Sequence, residues 1–157
     1  MSKNPFCRAA LAGLLLAGLS GAAFAANPPS TGLGQAWPNT TDMSASPNWH
    51  AYVFTLGGIK YVQINDLNGN VLGAVGTANG QFITLPIGVD SQLVSTPQQA
   101  ATATSSATAT AGPVTVYQDS STTVTATPLS DGTVQLNAMS AATCDPVDCS
   151  TQGAQQQ

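Results

Sequence analysis

Apolar and polar residues alternate with period two through most of the middle of this chain. Between Asn48 and Gly88 three short pairs interrupt the alternation: Gly57-Gly58, Asn68-Gly69 and Asn79-Gly80. Each pair favours the positive φ that a two-residue hairpin loop requires. The pattern predicts a four-stranded antiparallel meander over about 49–87. Two-residue loops then set the register. Leu56 faces Ile59, Phe54 faces Tyr61, His50 and Leu72 both fall opposite Asn65 on its two neighbours, Ala74 faces Leu85, and Leu72 faces Ile87.

Successive side chains point to opposite faces, so the register assigns the faces as well. One face collects Tyr52, Phe54, Leu56, Ile59, Tyr61, Leu72, Ala74, Ile83, Leu85 and Ile87, and it is the expected core face. The other collects Ala51, Val53, Thr55, Lys60, Val62, Ile64, Val71, Val75, Phe82 and Thr84. That second face is mixed but still fairly apolar, so part of it is expected to be covered. Pro86 falls in the last strand, which suits an edge, where a missing N–H is tolerated.

A second alternating stretch runs from about 113 to 139. Val114, Val116, Val124, Ala126, Val134, Leu136 and Ala138 share one face; Thr115, Thr123, Thr125, Thr127, Thr133, Gln135 and Asn137 share the other. Asp119-Ser120-Ser121 and Ser130-Asp131-Gly132 supply the turns. This predicts a three-stranded meander with one greasy and one threonine-rich side. Each meander alone has a thin core, and small sheets need a covered face. The fold class is therefore all-β, with the three strands expected to pack on the four as a small sandwich. The alternative is two separate modules.

The remaining stretches are polar. Residues 26–47 form an arm, flexible by expectation, before the 48–95 core. A linker rich in Ala, Thr and Ser spans 96–112, and a tail spans 140–157. These three stretches lack the apolar mass that would offset the entropy of ordering them.

Residues 1–25 read as an export signal. Lys3 and Arg8 form a basic n-region, Ala9 to Leu19 an apolar h-region, and Ala23-Phe24-Ala25 an A-x-A cleavage site before Ala26. The h-region is too short to span a bilayer, and no later run approaches the ~20 apolar residues a spanning helix needs. Cys7 lies before the h-region, and Ala26, not a cysteine, stands directly after the cleavage site where a lipid would be carried. The expected destination is the periplasm or the medium by the general secretory route, without a lipid anchor.

Cleavage changes the charge. Lys60 is then the only base and faces seven aspartates, one plus against seven minuses, leaving about −6 at neutral pH. Nucleic acid needs a basic footprint, and an anionic membrane surface needs the same sign, so both are excluded as partners. Solubility rests on Ser, Thr, Asn, Gln and Gly. Low charge on β-prone strands also raises the hazard of edge-to-edge association.

Few residues suggest chemistry. Cys144 and Cys149 enclose Asp-Pro-Val-Asp and are expected to form one disulfide in an oxidising compartment. So small a loop contributes about 2 kcal/mol. Asp66-Leu-Asn-Gly-Asn70 resembles the first half of a calcium loop, but Thr77 stands where the bidentate glutamate belongs. The hairpin explains the same residues more simply. His50 is the only histidine, at the start of the first strand, and no nucleophile motif accompanies it. Trp37 and Trp49, with His50, are the candidate binding residues; Trp37 is expected to fold back with the arm onto the sheet, and Trp49 to flank the mixed face. No catalytic set, metal site or cofactor is read from the sequence.

These observations point first to an exported, non-enzymatic structural or protein-interaction module, contacting an envelope protein or copies of itself. A small-ligand or glycan-binding module using Trp37 and Trp49 ranks second. A small hydrolase with His50 as base ranks third.

Overall fold

A computed structural model describes residues 30–141. The export signal and the Cys144–Cys149 pair lie outside the described residues. Among those residues no helix is long and apolar enough to cross a membrane.

The described residues form eight strands in two sheets. The first is β1 (His50–Leu56), β2 (Ile59–Asn65), β3 (Val71–Ala78) and β4 (Gln81–Leu85), an antiparallel meander in sequence order. The second takes β5 (Val94–Ser95), β6 (Val114–Gln118), β7 (Thr122–Pro128) and β8 (Val134–Ser140) in the order β5-β8-β7-β6. β5 runs parallel to β8, pairing Val94 with Leu136, and makes this sheet mixed rather than three-stranded. Two residues are too few to show any periodicity, so β5 left no trace in the pattern.

The hairpins form where the glycines stand. Gly57 and Gly58 have φ of 60° and 80°, and Asn79 and Gly80 have 51° and 76°, the conformations that match the right-handed twist of the strands. Leu56 pairs with Ile59, Phe54 with Tyr61, His50 with Asn65 and Ala74 with Leu85, as the loops predict. The β2–β3 connection departs from expectation. It is a five-residue loop closed by Asp66, whose Oδ1 accepts the N–H groups of Asn68 at 2.9 Å and Asn70 at 2.8 Å. A bulge follows, and Asn65 pairs with Val71 instead of Leu72. Leu72 does not pair with Ile87 either. The ladder stops at Leu85, before Pro86, and the chain rejoins β3 through Val89 N to Val71 O and Asp90 N to Leu72 O, both 2.9 Å.

The sandwich core lies on the other face of the first sheet from the one expected. Ala51, Val62, Ile64, Val75 and Phe82 pack against Val116, Val124, Ala126, Leu136 and Ala138 of the second. The reason is legible in β2. Gln63 and Asn65 alternate with Tyr61 on the supposed core face, whereas Val62 and Ile64 are unbroken on the opposite one. A dry sheet-to-sheet contact would have left both amides without partners, at a cost of about 1–3 kcal/mol each. The second sheet's faces are those its alternation predicts. A bulge between Thr115 and Tyr117 additionally buries Val116 and Tyr117 side by side.

The arm and the linker are held by polar bonds rather than apolar mass. Ala45 N donates to Val116 O, and Met43 N to Ala51 O. In the linker Ala103 N donates to Gln92 O and Thr110 N to Pro128 O, laying the tract along the second sheet. Gln98 and Gln99 turn back so that their Oε1 atoms accept the outward N–H groups of Phe82 (3.1 Å) and Thr84 (3.2 Å) on β4.

Candidate functional site

The arm and the outer face of the first sheet build the most developed polar site among the described residues. The arm begins with a closed tip. Thr31 and Asn39 exchange two backbone bonds, at 3.3 and 3.0 Å, and Gln35 N donates to Gly32 O at 2.9 Å. The tip therefore keeps its shape through its own bonds.

Gln63 and Asn65, both fully buried, receive the tip. Gly34 N donates to Gln63 Oε1 at 2.6 Å, and Gln63 Nε2 donates to Gln35 O at 2.9 Å and to Asn65 Oδ1 at 2.8 Å. Asn65 Nδ2 donates to Ala36 O at 2.8 Å. Two side-chain amides thus read three consecutive residues through main-chain atoms alone. No buried side-chain polar atom among the described residues lacks a hydrogen-bond partner.

Trp37 belongs to the same tip and lies over the β2–β3 loop. A Cβ on Gly69 would come within 2.8 Å of its ring, so only glycine admits the indole there. The ring is nonetheless 60% exposed. Its edge meets His50 at 5.5 Å between centroids and 67° between planes, and His50 stacks on Tyr52 at 6.0 Å and 20°. Trp49 goes elsewhere, half-buried against the sandwich core. The structure brings together two of the three candidate residues, Trp37 and His50, and separates the third.

His50 Nδ1 lies 2.6 Å from Asp42 Oδ2. An ionised carboxylate only accepts, so Nδ1 carries the proton. Asp42 Oδ1 accepts from Ser44 N and Ala51 N, each at 2.9 Å. Burial pushes the Asp42 carboxyl up, but the His50 bond and these two N–H groups hold it below its ordinary value. An Asp–His pair is the orienting half of a nucleophilic system, which also needs a hydroxyl or thiol at the other ring nitrogen. Among the described residues the side-chain partner of His50 is Asp42. The pair orients the imidazole and ties the arm to β1.

A second network closes the opposite end. Lys60 Nζ donates to Asp119 Oδ2 at 2.5 Å and to Ser121 Oγ at 2.8 Å, joining the two sheets. Tyr117 donates to the same Asp119 oxygen at 2.7 Å. Burial pushes Asp119 up, yet Lys60, Tyr117 and the Ser121 donors hold it well below the carboxylate range. Burial, then the bond to Asp119 and its charge, push the Tyr117 hydroxyl up.

Asp66 spends its oxygens on its own loop, which accounts for the calcium-like spacing. Among the described residues no three potential metal-ligating His, Cys, Asp or Glu side chains cluster. A shallow cleft of about 490 Å³ holds Asp90 and Asp131 between the linker and the start of β8. Buried Asp90 accepts from Val134 N at 2.9 Å, and burial pushes its carboxyl up, with the Asp131 charge adding to the effect.

Sequence reasoning missed Gln63, Asn65 and Asp42. The two amides did leave a signal: uncharged polar residues at alternate positions of an otherwise apolar strand mark a face that needs a polar cover. Asp42 left none, because its role depends on the arm turning back beside β1. No protein-family model, curated protein or solved structure matches the chain.

Proposed function

We propose that this protein is an exported, non-enzymatic module that works by contact with a protein of the cell envelope or with copies of itself. One observation carries the reading: the sheet edges are covered from within, while one end of the outer face of the first sheet is left bare. The arm bonds along β1 and β6, Gln98 and Gln99 cap β4, and β5 is only two residues long. Beyond the tip, Leu56 is 72% and Ile83 53% exposed, with Ile59 and Tyr61 half-buried between them. A partner is therefore met face-on, by burial of apolar area, rather than by adding a strand. The leader read in residues 1–25 supports the exported setting.

The test places a photo-crosslinking residue at Leu56 and, separately, at exposed Gln135 on the outer face of the second sheet. Periplasm, outer membrane and medium are then fractionated. Capture of a discrete protein from Leu56 and not from Gln135 supports the reading; equal capture from both, or none from Leu56, overturns it.

A second reading, glycan binding, is favoured by the exposed Trp37 ring backed by Gly69. Stacking of a sugar on that ring would shift tryptophan fluorescence in the wild type and not in Trp37→Ala. Flat titrations across cell-wall sugars remove this reading.

A further inference from the structure

We propose that the cleft beside Asp90 and the cavity adjoining it form a binding site for a small organic amine. The ammonium group sits between Asp90 and Asp131, and an apolar body about the size of one benzene ring lies under the linker. These residues are not those of the outer face of the first sheet, and the inference does not rest on the reading above.

The linker builds the apolar half. From Ala101 to Thr108 its residues alternate: Ala101, Ala103, Ser105 and Ala107 are half-buried, and Thr102, Thr104, Ser106 and Thr108 are exposed. This is the period of an extended chain laid along a surface. The alanines face Leu93 and Leu129 across a cavity of about 190 Å³, which side chains so short do not fill. An apolar cavity of about 150 Å³ takes one benzene molecule. Thr104 and Ser105 supply part of the polar lining, and they also line the cleft, as do Leu93 and Ala103, so cavity and cleft adjoin. The wall is held by hydrogen bonds. Ala103 N donates to Gln92 O at 3.0 Å, Thr108 N to Ser130 Oγ at 3.3 Å, and Ser130 N to Thr108 O at 2.9 Å. From Ala101 to Thr108 no residue is buried, so the wall belongs to the low-stability part of the molecule and can lift to admit a ligand.

The cleft, of about 490 Å³, supplies the charge. Asp90 lines it and is only 7% exposed. A carboxylate can accept about four hydrogen bonds. Among the described residues Asp90 accepts one, from Val134 N to Oδ2. No buried side-chain polar atom there lacks a partner, so Oδ1 is the oxygen that opens on the cleft. Asp131 is close enough for its charge to raise the Asp90 carboxyl further, after the larger effect of burial. Ser105 Oγ donates to Asp131 Oδ2 at 2.9 Å and ties that acid to the linker wall. Neither acid has a basic partner among the described residues: Lys60 pairs with Asp119, and His50 with Asp42. Two like charges on one cleft disfavour each other, and a cation between them reverses the effect. A divalent metal ion suits the place badly. It takes about six to eight oxygens, and among the described residues no three His, Cys, Asp or Glu side chains cluster. An ammonium carries a compact charge and donates hydrogen bonds, and its carbon body accounts for the cavity next to the acids. Charge and shape together select a primary amine with a short apolar body.

The experiment titrates the 15N-labelled chain from Ala26 onward with benzylamine and with butylamine at neutral pH, where both are protonated. The backbone amide signals of Leu93, Ala103, Ser105 and Val134 are followed, Val134 N being the donor to Asp90. The amines should move these signals to saturation. Benzyl alcohol has the body without the charge, and methylammonium the charge without the body; each should leave the signals nearly in place. Asp90→Asn should abolish the response. Asp131→Asn, at an exposed position that the fold tolerates, should weaken it. Ala107→Leu fills the cavity and should abolish the response to benzylamine. No movement with either amine overturns the site. Movement as large with benzyl alcohol overturns the role of the acids, and movement as large with methylammonium or with calcium overturns that of the cavity. A response to the amines that is unchanged in both aspartate variants overturns the proposal as well.

Discussion

The two sheets share a design, hairpins of alternating residues, but they treat their outer faces differently. The second sheet turns Gln135 and Asn137 to water and buries Val134, Leu136 and Ala138. The first buries residues on both faces: Val62 and Ile64 toward the sandwich, and Tyr52, Phe54, Gln63 and Asn65 beneath or beside the arm. A sheet with one wet face is specified by alternation alone. A sheet covered on both sides needs polar receptors for whatever covers it, and here two amides serve.

The largest effects should come from the shared core. Leu136 is fully buried, and its Cδ1 atom would lie 2.8 Å from a Cβ on Gly73 across the seam, so the space is already filled from both sides. Leu136→Ala should cost about 2–5 kcal/mol in urea unfolding, whereas exposed Leu56→Ala should change stability by no more than about 0.5 kcal/mol. Equal effects would mean that the seam is not the common core. Gly73→Ala tests the same contact from the other side: overpacking against Val94 and Leu136 should cost about 1–3 kcal/mol.

Next comes the cradle. Gln63→Leu leaves Gly34 N and Gln35 O without their receptor and should cost about 1–3 kcal/mol, with faster hydrogen exchange at Gly34. The same change at Gln135 should stay within about 0.5 kcal/mol. If the two glutamines respond alike, the distinction between a covered and a wet outer face fails.

These contrasts also explain which parts of the fold were legible. From Val134 to Ala138 of β8 every second residue is apolar and every intervening one polar, so Val134, Leu136 and Ala138 could be assigned inward without ambiguity. In β1 and β2 both faces carry bulky apolar residues, and counting them favoured Tyr52, Phe54 and Tyr61 over Val62 and Ile64. What decides is the presence of Gln63 and Asn65, which only a hydrogen-bonding cover can satisfy. The hairpins at Gly57-Gly58 and Asn79-Gly80 were legible because local φ preference fixes them. The bulge at Asn65 and the pairing beyond Pro86 arise from longer-range packing and leave no local mark. Of the candidate site, Trp37 and His50 were visible as rare residue types, but their meeting depends on the arm's path, as does the role of Asp42.

A smaller effect separates the two carboxylates at the ends of the sandwich by sign. Asp119 is held below its unfolded value, so its stabilisation is present above the unfolded carboxylate range and is lost as pH falls through and below it. Asp90 is pushed above its unfolded value, so its contribution is present below the unfolded range and is lost as pH rises through the folded value. Lys60→Met should cost about 1 kcal/mol at neutral pH, because both partners are partly exposed. It should also flatten the acid-side loss of stability. Asp90→Asn keeps an acceptor for Val134 N and should leave neutral-pH stability unchanged or slightly raised. Parallel pH profiles for the two variants would contradict the opposed signs.

The smallest expected change in folding stability concerns the edges, and its consequence should appear in association instead. Gln98 and Gln99 present acceptors to Phe82 N and Thr84 N, the outward donors of β4. Replacing both by alanine exposes those donors to water, which satisfies them, so the double variant should lose no more than about 0.5 kcal/mol. The uncovered strand then becomes a template for another chain, on a molecule with few charges to oppose pairing. Light scattering of the double variant should show association at concentrations where the wild type shows none, with the new contact mapping to β4 rather than to Leu56. If the double variant scatters no more than the wild type, the glutamines are not what keeps that edge closed. The contrast between guarded edges and a bare face would then rest on the arm alone.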